Sequence, residues 1–185
     1  MAEYLSQHFT YEEMIYSETA IAKGIPNVPA PIHKKILIHT CQYLLEPLRA
    51  LLNEKYKEYK GKKVKYVSIK VTSGYRNERV NALVGGSSTS GHKKGECADI
   101  EATVVYVDGS RVKIPYNVLY EDIKAWVRAG KISVDQCIQE AYYDKVKKVW
   151  VCWVHVSHNN AGRSRDRREF KKFNNGTYTL DCILK

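Results

Sequence analysis

Two hydrophobic periods divide this chain, and they occupy different parts of it. From Ile32 to about Tyr59 the apolar residues Ile36, Ile38, Tyr43, Leu44, Leu48 and Leu51 fit a 3.6-residue stripe, which predicts a long helix with a kink at Pro47. Past a turn at Gly61 the period falls to two. In Lys65–Thr72 (KYVSIKVT), Val67, Ile69 and Val71 alternate with Tyr66, Ser68 and Lys70, the pattern of a half-buried strand. Residues 98–107 (ADIEATVVYV), 134–140 and 148–157 (KVWVCWVHVS) read as further strands, and 176–184 as an edge strand. Asp108-Gly109 reads as a hairpin turn. Residues 117–129 form an amphipathic helical pattern, 77–84 one or two helical turns, and Thr10 with Glu13 a capping box opening a helix to about Ala20. Helices first, then a small antiparallel sheet with a helix in a crossover, describe an α+β domain whose sheet needs one helix-covered face.

At 185 residues the chain suits one domain, 1–185, with N-terminal helices and a basic C-terminal extension from about residue 158. No stretch approaches the ~18 consecutive apolar residues of a membrane span. The opening MAEYLSQHFTYEEM has acidic residues early and no apolar signal region, so synthesis in a cytoplasm is expected. Five cysteines (Cys41, Cys97, Cys137, Cys152, Cys182) stand singly in apolar segments without a C-x-x-C pair, which argues for buried thiols. The net charge of +10 favours an anionic partner, although the basic runs 55–65 and 163–172 also suit a solvated face. Nucleic acid is disfavoured, because no finger or helix-turn-helix pattern accompanies them.

The residues with the most chemistry flank a lysine-rich turn at Gly95, in SGHKKGECADIE (90–101). Zinc takes neutral histidine nitrogens and carboxylate oxygens, and a catalytic zinc keeps three such ligands and one open position. His92 and Asp99 are two candidates that a turn can bring together. His155, in VCWVHVS, is the histidine embedded in an apolar strand, and a third candidate; a hydrogen-bonded core histidine is the alternative reading of it.

Several ordered motifs resemble one family. Ser90, His92, Gly95, Cys97 and Asp99 follow the S-x-H-x-x-G-x-A-x-D pattern of the zinc D-Ala-D-Ala carboxypeptidases and related peptidoglycan peptidases of metallopeptidase family fifteen, with Cys97 in place of the alanine. Ser73-Gly74-Tyr75-Arg76 with Asn81 is similar to its SGYR-x-x-x-x-N element, and Val84-Gly85-Gly86 to its V-G-G step. Residues 135–140 (DQCIQE), 153–157 (WVHVS) and the N-terminal 8–29 resemble small phage-type members. The resemblance implies a Hedgehog/DD-peptidase fold and a zinc held by His92, Asp99 and His155. It implies that Arg76 binds a substrate carboxylate or carbonyl, with Ser90 and Tyr75 also contacting substrate.

A general base must take a proton from water and pass it to the leaving amine. Better-known members carry an acid or histidine just before the last zinc ligand, where this chain has Cys152 and Trp153. Glu140 is the favoured substitute and Glu101 its rival, on the face of its strand that bears Asp99. If the strand ended at Glu140 in a tight hairpin, the carboxylate would lie ~15–20 Å from His155, so a register shift is needed. The function implied is zinc-dependent hydrolysis of a peptide bond at or near D-alanine in peptidoglycan, endolysin-like or carboxypeptidase-like, acting on the cell wall after release. The partners implied are peptidoglycan peptides and an anionic cell-envelope polymer. The other class is a non-catalytic zinc-containing binding module on the same fold.

Overall fold

The computed structural model describes residues 2–159 and 166–184. The one helix expected after Thr10 is two. In α1 (Tyr11–Ile15) the Thr10 hydroxyl accepts from the Glu13 amide, and in α2 (Glu18–Ala22) the Ser17 hydroxyl accepts from Ala20. Ser17 in extended conformation caps a new helix rather than continuing the old one. The long helix forms as α3 (Pro31–Thr40), a wide π turn (Cys41–Leu45) and α4 (Glu46–Lys55). Pro47 has no N–H to donate backwards, and the Glu46 N–H reaches five residues back to the Cys41 carbonyl, so the break expected at Pro47 takes the form of this turn.

The strands are β1 (Glu58–Tyr59), β2 (Lys62–Ser73), β3 (Cys97–Tyr106), β4 (Arg111–Lys113), β5 (Gln136–Asp144), β6 (Val149–Ser157), β7 (Glu169–Asn174) and β8 (Thr177–Ile183). They build one sheet in the order β1-β2-β3-β6-β5-β7-β8, with β4 beside β3. The helices α5 (Glu78–Leu83) and α6 (Tyr116–Arg128) complete the chain. The sheet was expected to be antiparallel; β7 runs parallel to β5, so it is mixed. Beyond residue 158, where a basic extension was expected, β7 joins the sheet with Phe170 fully buried beside Cys137, and the edge strand expected at 176–184 forms as β8. The two lysines that follow Phe170 hide that apolar position in the sequence. Of the basic run 163–172, residues 163–165 lie outside the described residues.

Alternation along β3 separates core from site. Ala98, Ile100, Ala102, Val104 and Tyr106 join the hydrophobic core, together with Val67, Ile69 and Val71 of β2 and Val154 and Val156 of β6. Leu119, Tyr120, Ile123 and Val127 of α6 and Leu48 and Leu52 of α4 cover this face. The intervening residues, Cys97 and Asp99 among them, point to the opposite face. Two bonds from Asn53 dock α4 on the sheet: its amide donates to the Val67 carbonyl and its carbonyl accepts from the Val67 N–H, at 2.9 and 2.8 Å.

Candidate metal centre

His92 sits in a short 3-10 turn (Gly91–Lys93) and is 2 % exposed. The Ser90 hydroxyl accepts from the His92 amide and caps the turn. Behind it, Gly95 adopts φ +81°, and a Cβ there would meet Leu37 Cγ at 2.8 Å, so both conformation and space demand glycine. The Asn81 amide donates to the carbonyls of Gly86 and Ser87 and ties down the preceding loop. His92 Nδ1 lies 2.6 Å from the Gly74 carbonyl. A carbonyl only accepts, so Nδ1 carries a hydrogen, and Nε2, buried without a hydrogen-bond partner, is the ring atom left to take a proton or a metal ion.

Nε2 faces a carboxylate. Asp99 Oδ1 is 3.3 Å from His92 Nε2 and 2.9 Å from His155 Nδ1. The register explains the meeting, because β3 and β6 pair Asp99 directly with His155. Donors about 2.0–2.2 Å from a tetrahedral zinc stand about 3.3–3.6 Å apart, so the first distance already suits a shared cation and the second has to open slightly. Positive charge belongs beside this carboxylate: a proton on His92 Nε2 supplies it, and a metal ion can take that proton's place. Among the described residues two three-donor clusters could hold a metal ion, His92–Cys97–His155 and Asp99–Glu140–His155, and they share His155.

Glu140 arrives by the neighbouring register. β5 continues four residues beyond Glu140 to Asp144 before turning into β6, and Glu140 therefore pairs with Trp153, two residues from His155. The register shift that the sequence reading required comes from this extra strand length, without a bulge. Ligand atoms of Asp99, Glu140 and His155 all lie within 4.8 Å of one another. Glu101 takes another course and pairs with Lys113, Nζ to Oε1 2.8 Å.

The electrostatics follow from burial and these pairings. Burial pushes the Glu140 carboxyl up to about 7, against the opposing pull of His155. Burial would likewise raise Asp99, but His92 and His155 hold it far below the usual carboxylate range. His92 is driven the other way: burial disfavours its charged form, and the Asp99 charge overcomes this and lifts it to about 9. His155 is likewise raised, so Asp99 stays ionised among histidine protons that a metal ion would have to displace, and beside them sits a carboxyl able to exchange a proton near neutrality.

Arg76 is the remaining charged neighbour, with Nη2 3.8 Å from Asp99 Oδ2 and its backbone N–H donating to the His92 carbonyl. Its buried Nε has no hydrogen-bond partner. Ser90 shapes the His92 turn. Tyr75, expected to touch substrate, is instead 5 % exposed within the core, its ring against His33, because its backbone is clamped between Met14 and Asn27. One residue at the centre was read in the sequence only as a buried thiol. Cys97 is fully buried, and its sulfur lies within 4.8 Å of ring nitrogens of both His92 and His155. Its i, i+2 relation to Asp99 was the available signal. Burial pushes this thiol up, but the two histidines outweigh it and bring it down to about 7.

Among the described residues no helix is long and apolar enough to cross a membrane. No curated protein matches the chain. The sequence model of the family described as Peptidase M15 does match, over residues 7–114, which span His92, Asp99 and the loop that carries them. With more than half of its length matched, and with a buried histidine-rich cluster able to take a metal ion, the chain belongs to the Peptidase M15 family of metal-dependent peptidases.

Proposed function

We propose that this metallopeptidase uses zinc, held by His92, Asp99 and His155, to hydrolyse a peptide bond at or near D-alanine in peptidoglycan stem peptides or cross-links. The observation that carries the catalytic part is the meeting of His92 Nε2 and His155 Nδ1 on one oxygen of Asp99, with Glu140 alongside. Bound zinc supplies a Lewis acid that acidifies water and polarises a carbonyl. Glu140, buried and raised to about 7, accepts the proton from the attacking water and returns it to the leaving amine. Arg76 presents its guanidinium at the rim of the cluster and binds a substrate carboxylate or carbonyl oxygen. The motif resemblance from the SGYR element to WVHVS supports the peptidoglycan substrate, and the +10 net charge supports delivery to an anionic cell envelope after release of the protein.

Metal analysis combined with peptidoglycan digestion tests this reading. About one zinc per chain and release of stem-peptide fragments are expected, with chelation abolishing release. Unchanged zinc content in a folded His92→Ala/His155→Ala double variant would refute the ligand assignment. A zinc-loaded protein that binds peptidoglycans of several chemotypes but cleaves none would be a non-catalytic module, a reading favoured only by Cys152 and Trp153 where an acid is expected.

A further inference from the structure

Cys97 opens β3 two residues before Asp99, so both side chains leave the strand on one face. The thiol is fully buried. A Cβ placed on Gly91 would lie 3.2 Å from its sulfur, so the turn that carries His92 runs close beside the sulfur and glycine leaves it room. The donor atoms of His92, Cys97 and His155 lie within 4.8 Å of one another, a second three-donor set that shares His155 with the Asp99–Glu140 set. Independently, the buried His92 Nε2 has no hydrogen-bond partner, and the Gly74 carbonyl occupies Nδ1, so Nε2 is the ring atom free to ligate. A sulfur confined between two imidazoles, one of them with an unpartnered ring nitrogen, has the composition of a soft-metal site.

We infer that Cys97 supplies a thiolate ligand to the same metal ion, beside His92 and His155. The inference rests on the metal centre proposed above and adds a donor to it. On binding, the S–H proton is released to solvent and the sulfur electron pair forms the metal–sulfur bond, with no change of oxidation state. Two imidazoles and a thiolate favour zinc or cobalt over magnesium and manganese, which prefer oxygen. With Cys97 bound the centre has four protein donors, and water would enter as a fifth ligand, a coordination number that catalytic zinc can reach; with Cys97 removed it has three donors and an open position.

Cobalt(II) provides a readout independent of catalysis, since a cobalt–thiolate bond gives an intense near-ultraviolet charge-transfer band that oxygen and nitrogen ligands do not. The metal-free full chain is titrated with cobalt(II), alongside Cys97→Ala, Cys97→Ser and the His92→Ala/His155→Ala double variant. The wild type should bind about one cobalt per chain and show the band. Both Cys97 variants should still bind one cobalt and lose the band, and their zinc affinity should fall by at least the ~10–100-fold that loss of a supporting group costs. Serine keeps nearly the volume of cysteine, so one folded variant remains if alanine destabilises the protein. Cobalt binding without the band, or a band that persists in both variants, overturns thiolate ligation and leaves the histidine–aspartate centre intact. Unchanged cobalt binding in the double histidine variant, or no binding by the wild type, overturns the centre itself.

Discussion

Glu140 and Trp153 face each other across β5 and β6, and the carboxylate is 8 % exposed. Replacing Glu140 by glutamine keeps the shape and removes the basic oxygen, so peptidoglycan cleavage should fall by ~10²–10⁴-fold while metal content is unchanged. Glu101→Gln should break only the Lys113 pair and leave cleavage near wild type. Because the base must be deprotonated, activity should rise with pH; a bound cation draws the Glu140 value down from about 7, so the midpoint of that rise should lie between the ordinary carboxylate range and about 7. Gly95→Ala tests the turn behind His92: a left-handed residue pressed against Leu37 should cost about 1–3 kcal/mol in urea unfolding and weaken metal binding. His92 and Asp99 were legible as candidates through the motif around the Gly95 turn, and His155 because a histidine within an apolar strand run is conspicuous. Cys97 was not, because a lone cysteine in an apolar run reads as a small hydrophobe, and Tyr75 was misplaced because a motif position does not reveal which way its side chain turns.

Elements were legible where one period dominates. β2, β3 and α6 lie within a residue or two of their expected bounds at most ends, whereas the end of β5 was missed because AYYD continues the strand without apolar alternation. That end decides whether Glu140 reaches the centre. Two contacts between elements can be checked directly. Asn53→Ala leaves the Val67 N–H and carbonyl without their partner and should cost about 1–3 kcal/mol, measured by denaturant unfolding. Glu46, at the start of α4, accepts from the Ser6 hydroxyl and the His8 backbone N–H at 2.8 and 2.7 Å, and contacts the His8 ring. Burial pushes its pKa up, but the bonds from His8 and Ser6 outweigh this and hold it below the ordinary value. A folded-state pKa below the unfolded one gives stability that is present above the unfolded value, about 4.3, and lost as pH falls through the folded value. Urea unfolding should show that acid loss in the wild type and a flatter profile in Glu46→Gln.

Across the whole molecule, the helix-then-sheet order and the edge strand β8 were readable, but β7 was not. The run leading into β7 looks basic and solvated, yet Phe170 fills the core and Arg167 clamps Asp135, Nη2 to Oδ2 2.7 Å. A chain ending at Ser157 should therefore lose cooperative thermal unfolding by circular dichroism, whereas a dispensable extension would leave the melting curve intact. The sheet order has a further consequence. Asp99 and His155 are 56 residues apart in sequence, and β6, which carries His155, inserts between β3 and β5. Closing so long a loop is entropically costly and comes late in folding a sheet of non-local contacts. The donors are thus scattered in the denatured ensemble, and an ion that binds only the closed form shifts the folding equilibrium by mass action. Metal concentration then sets how much of the chain is folded as well as how much of it is active.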